Sequence, residues 1–239
     1  MKFKSIDINC DLGEVESVAD CEQDRQLMPF ISSCNIACGG HAGTEDIILK
    51  TIQNALQFKL KIGAHPGYED PENFGRVTLE ISTEQLIESL YDQINLMQDL
   101  VASQDATMNH IKLHGALYNE AENNTELANH VADFYSSEFP KQTFLCLLGG
   151  ELFKACKQRN LSVVAEGFMD RAYLPNGKLK PRSQNDAVFT SPKQCAEQAI
   201  KLLNQGDIQT LCLHGDNINS IQIAKYVYSA LQTSSIQIQ

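Results

Sequence analysis

What this 239-residue chain lacks narrows its function before any motif is read. No stretch approaches the ~20 apolar residues of a bilayer-spanning helix, and Met1-Lys2-Phe3-Lys4 runs into a strand-like pattern without an apolar signal region. Basic residues are scarce: 19 Lys and Arg stand against 30 Asp and Glu, for a net charge of −11. No basic run is interleaved with aromatics either, so a phosphate-backbone partner is not expected. The eight cysteines form no CxxC pair. Cys10, Cys34, Cys38, Cys146 and Cys212 lie in strand-like runs, where a reduced thiol behaves as a small buried hydrophobe. These features predict a soluble cytoplasmic protein without disulfides, away from membranes and nucleic acid. Gly-x-x-x-x-Gly-Lys-Ser/Thr is missing, as is GxGxxG after a strand, so nothing local marks a nucleotide site.

What is present is a recurring strand-then-helix pattern, with no low-complexity linker or composition shift to mark a domain boundary. Strand-like runs fall near residues 6–10, 34–38, 60–64, 110–114, 143–148, 162–166 and 210–214. Between them, Ser82-Thr83-Glu84-Gln85 is a capping-box signal opening an amphipathic stretch to about Ser103. Asn124 precedes a helical stripe of Leu127, Val131 and Phe134, and Ser191-Pro192-Lys193-Gln194 combines a cap with proline at the first helical position. Ile218, Ile221, Val227 and Leu231 predict the buried stripe of a last helix. Seven strands with helical crossovers predict one α/β domain over 1–239, a TIM-barrel-like (β/α) barrel of seven parallel strands; an open doubly wound sheet is the runner-up. Residues 167–190, punctuated by Gly167, Pro175, Gly177 and Pro181, read as a long site-covering loop.

Four of the runs lead into histidine: His41, His65, His114 and His214. The first ends in Asp11 and the sixth in Glu166. In parallel α/β folds the carboxyl ends of all strands lie on the side that holds ligand sites. Alternation puts Asp7, Asn9 and Asp11 on one face of the first strand, and His110, Lys112 and His114 on one face of the fourth. Asn35 shares the face of His41 if no bulge intervenes at Gly39-Gly40. Polar faces directed into a barrel bring buried charges, which cost several kcal/mol unless paired or ligand-bound. Such an interior is either a site or a structural Lys112–aspartate pair, and His114 at the end of the same face favours the site. His110 and His130 read as structural or solvated. Asp11, His41, His65 and His114 are candidate ligands for a divalent metal, although no HxxxH or HxxEH spacing supports it.

With their loops, these strand ends resemble the LamB/YcsF family. The matching stretches are Asp7 to Glu14 (DINCDLGE), Asn35 to Gly43 (NIACGGHAG), Gly63 to Asp70 (GAHPGYED) and Asn73 to Arg76 (NFGR). They continue with Lys112 to Asn119 (KLHGALYN), Glu166 to Tyr173 (EGFMDRAY), Gly177 to Arg182 (GKLKPR) and Cys212 to Asp216 (CLHGD), in family order over nearly the whole chain. Four departures stand out: Gly40 where the family usually has phenylalanine, Val77 in place of a second arginine, Leu113 in place of proline, and Glu14-Val15-Glu16 without the usual glycine.

The resemblance implies a seven-stranded barrel of the glycoside hydrolase/deacetylase type. It also implies ATP-dependent opening of 5-oxo-L-proline to L-glutamate, together with two further 5-oxoprolinase subunits, PxpB and PxpC. Chemistry then suggests roles. Asp11 with His41 or His65 suits a general base on water, and His114 or His214 a proton donor to the leaving nitrogen. Lys112, Arg76, Arg171 and Arg182, with Asp7, Asn9, Asn35 and Glu166, are candidates for holding the substrate or phosphoryl oxygens. The turns Gly39 to Gly43 and Leu148 to Gly150 could approach phosphate through backbone amides, tight-turn geometry being the alternative. Two other readings stand beside this one: a stand-alone metal-dependent deacetylase or amidase, and a non-catalytic subunit that binds and presents 5-oxoproline.

Overall fold

A computed structural model of the chain describes residues 5–239. Its strands are β1 (Ser5–Leu12), β2 (Ser33–Ala37), β3 (Lys61–His65), β4 (His110–Ile111), β5 (Thr143–Leu147), β6 (Ser162–Phe168) and β7 (Thr210–His214). Each pairs in parallel with the next, and β7 and β2 both pair with β1, which closes the sheet into a seven-stranded barrel. A short β8 (Gln237–Ile238) adds to the outer start of β1 at Ser5 and Ile6. Full closure removes the exposed sheet edges that the runner-up open sheet would have carried.

Helices α1 (Cys21–Arg25), α2 (Glu45–Gln57), α3 (Thr83–Ala102), α4 (Gly115–Ala121), α5 (Thr125–Glu138), α6 (Glu151–Gln158), α7 (Pro192–Gln205) and α8 (Ser220–Thr233) form the outer layer. Local chemistry sets their starts. Ser82 and Gln85 exchange side-chain bonds with each other's backbone amides in a complete capping box, and Asn124 accepts from the amides of Glu126 and Leu127. The last helix differs from expectation. It begins only at Ser220, so Ile218 precedes it and is 85% exposed, and the buried stripe is Ile223, Ala224, Val227 and Leu231. Among the described residues no helix is long and apolar enough to cross a membrane.

The apolar face of β1 (Ile6, Ile8, Cys10, Leu12) joins one continuous core with residues of the helices. All eight cysteines are free and buried. Bulky aliphatics usually fill the interior of such a barrel. Here Asn9, Asn35, His110, Lys112 and Glu166 occupy it, all buried. Room for this polar filling comes partly from Gly63 in β3, where a Cβ would overlap the His110 ring. Gly40 has a similar explanation. The side chain of Gln93, bonded to both the amide and the carbonyl of Gly67, fills the space a side chain there would need.

Candidate active site

Asp7 and Asp11 mark the two ends of the barrel interior. Asp7, expected among the binding residues, stands at the end where the strands begin. Its carboxylate takes hydrogen bonds from the hydroxyls of Ser32 (2.9 Å), Ser33 and Thr210 (2.5 Å), with Lys61 at 3.6 Å. Parity gives the face of a strand but not the layer, which is why Asp7 and Asp11 looked equivalent.

One layer further in, Asn9 donates to Thr210 (2.8 Å) and accepts from Asn35 (2.8 Å). Asn35 also donates to Asp11 (2.7 Å), and its carbonyl oxygen meets His110 Nε2 at 2.7 Å. These amides carry the network from one end to the other without reaching solvent.

Above them Lys112 Nζ lies 2.8 Å from Asp11 Oδ1, 3.1 Å from Glu166 Oε1 and 3.1 Å from Cys212 Sγ. Glu166 Oε2 accepts from the Tyr118 hydroxyl at 2.9 Å. Burial alone would neutralise this ammonium, but Asp11, Cys212 and Glu166 around it hold its pKa well above the ordinary lysine value. Burial likewise works against the Asp11 carboxylate, and the neighbouring His65 and Lys112 charges override it, keeping Asp11 well below the usual carboxylate range.

Asp11 opens on a cavity of about 580 Å³ at the carboxyl ends of the strands, lined also by Glu14, His65, Arg76, Lys112, His114, Arg171, Arg182 and His214. Glu14, just past the end of β1, is the hub of one wall. Its Oε1 lies 3.0 Å from His41 Nε2, 3.2 Å from His114 Nδ1 and 3.7 Å from His65 Nε2. Burial would raise its pKa, but the neighbouring His114 and His41 rings hold it far below the ordinary value. His41 sits on the turn after β2 rather than on the strand, so strand parity with Asn35 does not apply to it. Its ring stacks on His114 at 3.5 Å, behind the cavity wall, and burial pushes it down to about 4.

The opposite wall carries His214, whose Nδ1 bonds Asp170 Oδ1 at 2.8 Å. Asp170 also accepts from the His214 amide and from Asn217 Nδ2, both at 3.2 Å. Although burial opposes it, the His214 charge and these bonds keep Asp170 ionised, its pKa below the usual value. A carboxylate on Nδ1 selects the tautomer that leaves Nε2 free.

The loop after β6 covers one side of the cavity and contributes Arg171, Lys180, Pro181 and Arg182 to it. Arg171, expected to hold an anion, instead donates to the carbonyls of Ala187 (3.3 Å) and Lys180 (2.7 Å) and so clasps its own loop. Arg76 pairs with Asp216, and Arg182 Nη1 approaches the same carboxylate at 3.9 Å. The glycine-rich turns spend amides internally: Gly39 donates to Ala42 and Gly150 to Leu147.

The structure thus gathers Asp11, His65, His114, His214, Lys112, Arg76, Arg171 and Arg182 around one cavity. His41, Asn9, Asn35 and Glu166 are buried behind its walls, and Asp7 stands apart. Sequence reasoning missed Glu14, Asp170 and Asp216 as site residues. All three lie in stretches already quoted, beyond the point where strand alternation says anything about direction.

Two donor groups have metal-ligand spacing: Asp11, Cys212 and His214, and Glu14, His65 and His114. The first is filled by the Lys112 ammonium, which touches both Asp11 and Cys212. The second fits a divalent ion, with Glu14 rather than Asp11 or His41 beside the two imidazoles.

Geometry of this kind defines a (β/α) barrel with a polar interior and an acid–imidazole site at its carboxyl end. The LamB/YcsF family model matches residues 6–239, and the chain belongs to the LamB/YcsF family. Among curated relatives, a protein of Bacillus cytotoxicus named as the A subunit of 5-oxoprolinase is 35% identical, with 97% of each chain covered. One of the same name from Bacillus cereus is 33% identical over 98% of each. A solved structure, the lactam utilization protein of Thermus thermophilus, superposes with a TM-score of 0.90 at 30% identity, covering 98% of this chain and 99% of that one.

Proposed function

We propose that this chain is the A subunit of a cytoplasmic 5-oxoprolinase. In this reading it opens 5-oxo-L-proline to L-glutamate at the cost of ATP, together with PxpB and PxpC. Relatives named for that enzyme support the reading, as does a cavity within the range of small-molecule sites, about 300–1,000 Å³. One observation carries the chemistry: a buried, ionised Asp11 locked by Lys112 opens on the same cavity as an imidazole locked by Asp170.

A five-membered lactam is a resonance-stabilised amide that resists water. Transfer of the γ-phosphoryl group to its oxygen releases ADP and leaves an electrophilic carbon. Asp11 takes a proton as water attacks that carbon, and His214 in its imidazolium form, with Asp170 as counter-charge, gives its Nε2 proton to the nitrogen as the C–N bond breaks. The resulting acyl phosphate is cleaved by a second water to glutamate and phosphate. Arg76, Lys180 and Arg182 at the mouth suit the substrate carboxylate and the phosphoryl oxygens.

Glutamate and ADP release by the assembly reconstituted from all three subunits, with wild type, Asp11→Ala and His214→Ala, tests this. Absence of lactam turnover with the wild type retires the function, and turnover retained by the variants retires the roles. The Glu14–His65–His114 group favours a second reading, a metal-dependent deacetylase or amidase acting alone. Hydrolysis of an acylated amide by the isolated chain without ATP, stimulated by a divalent metal, distinguishes it.

A further inference from the structure

Hydrogen-bond partners fix the proton positions on two buried rings. His65 Nδ1 lies 2.9 Å from the carbonyl oxygen of Lys112, and His114 Nε2 lies 2.9 Å from that of Phe74. A carbonyl oxygen only accepts, so each of these nitrogens carries its hydrogen. In neutral rings the other nitrogens, His65 Nε2 and His114 Nδ1, are then bare lone pairs. Those two atoms face each other at 3.1 Å, and Glu14 Oε1 stands 3.7 and 3.2 Å from them. Asp11 Oδ2 stands 3.4 Å from His65 Nε2 as well, and electron-rich atoms converging in a buried wall require an electrophile between them: a proton on one ring, or a metal ion.

Three considerations favour the metal. The three separations place the atoms on a circle of about 1.9 Å radius, so a point slightly off their plane is ~2.1 Å from each, the usual zinc–nitrogen and zinc–oxygen distance. Imidazoles that ligate metals characteristically donate their second N–H to a backbone carbonyl or carboxylate, which both rings do here. Charge also favours two positive units over one. The Lys112 ammonium is already engaged by Asp11 and Glu166, which leaves the Glu14 carboxylate with imidazoles alone.

We propose that Glu14, His65 and His114 form a divalent transition-metal site in the cavity wall, with the remaining coordination positions open toward Asp11 and the cavity. His41 is a positioning residue: it stacks on the His114 ring and contacts Glu14 Oε1, so it fixes two ligands without being one. The two-imidazole, one-carboxylate donor set suits zinc, iron(II), cobalt or manganese better than magnesium or calcium. The site stands independently of the 5-oxoprolinase reading, because metal occupancy is measured on the chain alone and lactam turnover on the assembly.

The experiment uses the isolated full chain, stripped with chelator and reloaded with Zn²⁺ or Co²⁺. Elemental analysis after gel filtration is expected to give about one equivalent per chain. The cobalt form is expected to show visible d–d absorption of a nitrogen- and oxygen-ligated ion. His65→Ala, His114→Ala and Glu14→Gln each lower zinc affinity; loss of an outer partner costs about 10–100-fold, and loss of a ligand more. His214→Ala leaves affinity unchanged. Wild-type chain that retains no metal and gives no cobalt spectrum overturns the proposal and leaves a shared proton as the electrophile. Zinc bound equally well by His65→Ala and His114→Ala overturns it too. The wild-type cobalt spectrum decides the matter even if the variants fail to fold.

Discussion

Two aspartates on the same face of one strand meet opposite fates. Asp7 is surrounded by hydroxyls from β7 and from the residues entering β2, small neutral donors that satisfy it at the point where the barrel meets solvent. Asp11, four residues on, is surrounded by an ammonium, an imidazole and an amide, and it opens on a cavity. One end of the barrel has its polar groups matched one against another. The other keeps charge, basicity and free lone pairs in excess of what stability needs. Structural polar groups are closed among themselves, whereas a site leaves something for a ligand to complete.

Breaking the two ends in parallel gives the largest contrast. Asp11→Asn is expected to lower lactam turnover of the assembly by about 10²–10⁴-fold, the worth of a positioned base. Asp7→Asn leaves it within a few-fold; steady-state rates of the two variants side by side check this, and equal losses would erase the distinction. Next comes Lys112→Met, which strands Asp11 and Glu166 without their cation. It is expected to cost about 3–5 kcal/mol in denaturant unfolding.

Acid sharpens the comparison further. Burial pushes His41 near the cavity and His110 in mid-barrel each down to about 4, from an ordinary 6.5. Between these values the unfolded chain binds protons that the native one refuses. Their contribution to stability is therefore present above about pH 6.5 and lost as pH falls toward 4, by up to about 3 kcal/mol per ring. Asp24 and Glu122, pushed up by burial to about 7 and about 8, act oppositely as pH rises through the same region, so the diagnostic is a difference. His110→Gln should flatten the fall in unfolding free energy from pH 6.5 to 4.5 relative to wild type. An unchanged slope would show that this ring titrates normally.

Smaller effects belong to the cavity surroundings. Gly40→Ala must displace Gln93 from its two bonds to Gly67 and is expected to cost about 1–3 kcal/mol, with much of the loss recovered when Gln93→Ala is added. Ile218→Ser, at a largely exposed position just before α8, should leave the unfolding free energy within about 0.5 kcal/mol of wild type.

Much of this architecture was legible because alternation in the strands is unusually sharp. Ile6, Ile8 and Cys10 against Asp7, Asn9 and Asp11 gave both the strand and its inward face, and Ile111 and Leu113 against His110, Lys112 and His114 did the same. What alternation could not give was depth, so Asp7 was grouped with Asp11. Nor could it reach past the strands. Glu14, Asp170 and Asp216 are aimed by turns whose conformation depends on tertiary contacts, as with Asp170, which the His214 amide and Asn217 hold in place. Ile218 fitted the helical period of its neighbours although the helix begins two residues later, at Ser220.

The rings of His65 and His114 take their orientation from peptide oxygens of Lys112 and Phe74, not from anything those residues carry on their side chains. A peptide oxygen is present whatever codon occupies the position. A substitution at Phe74 can thus change size and polarity while the backbone contact that orients His114 persists, whereas Lys112 is held to its type separately, by the Asp11 and Glu166 carboxylates.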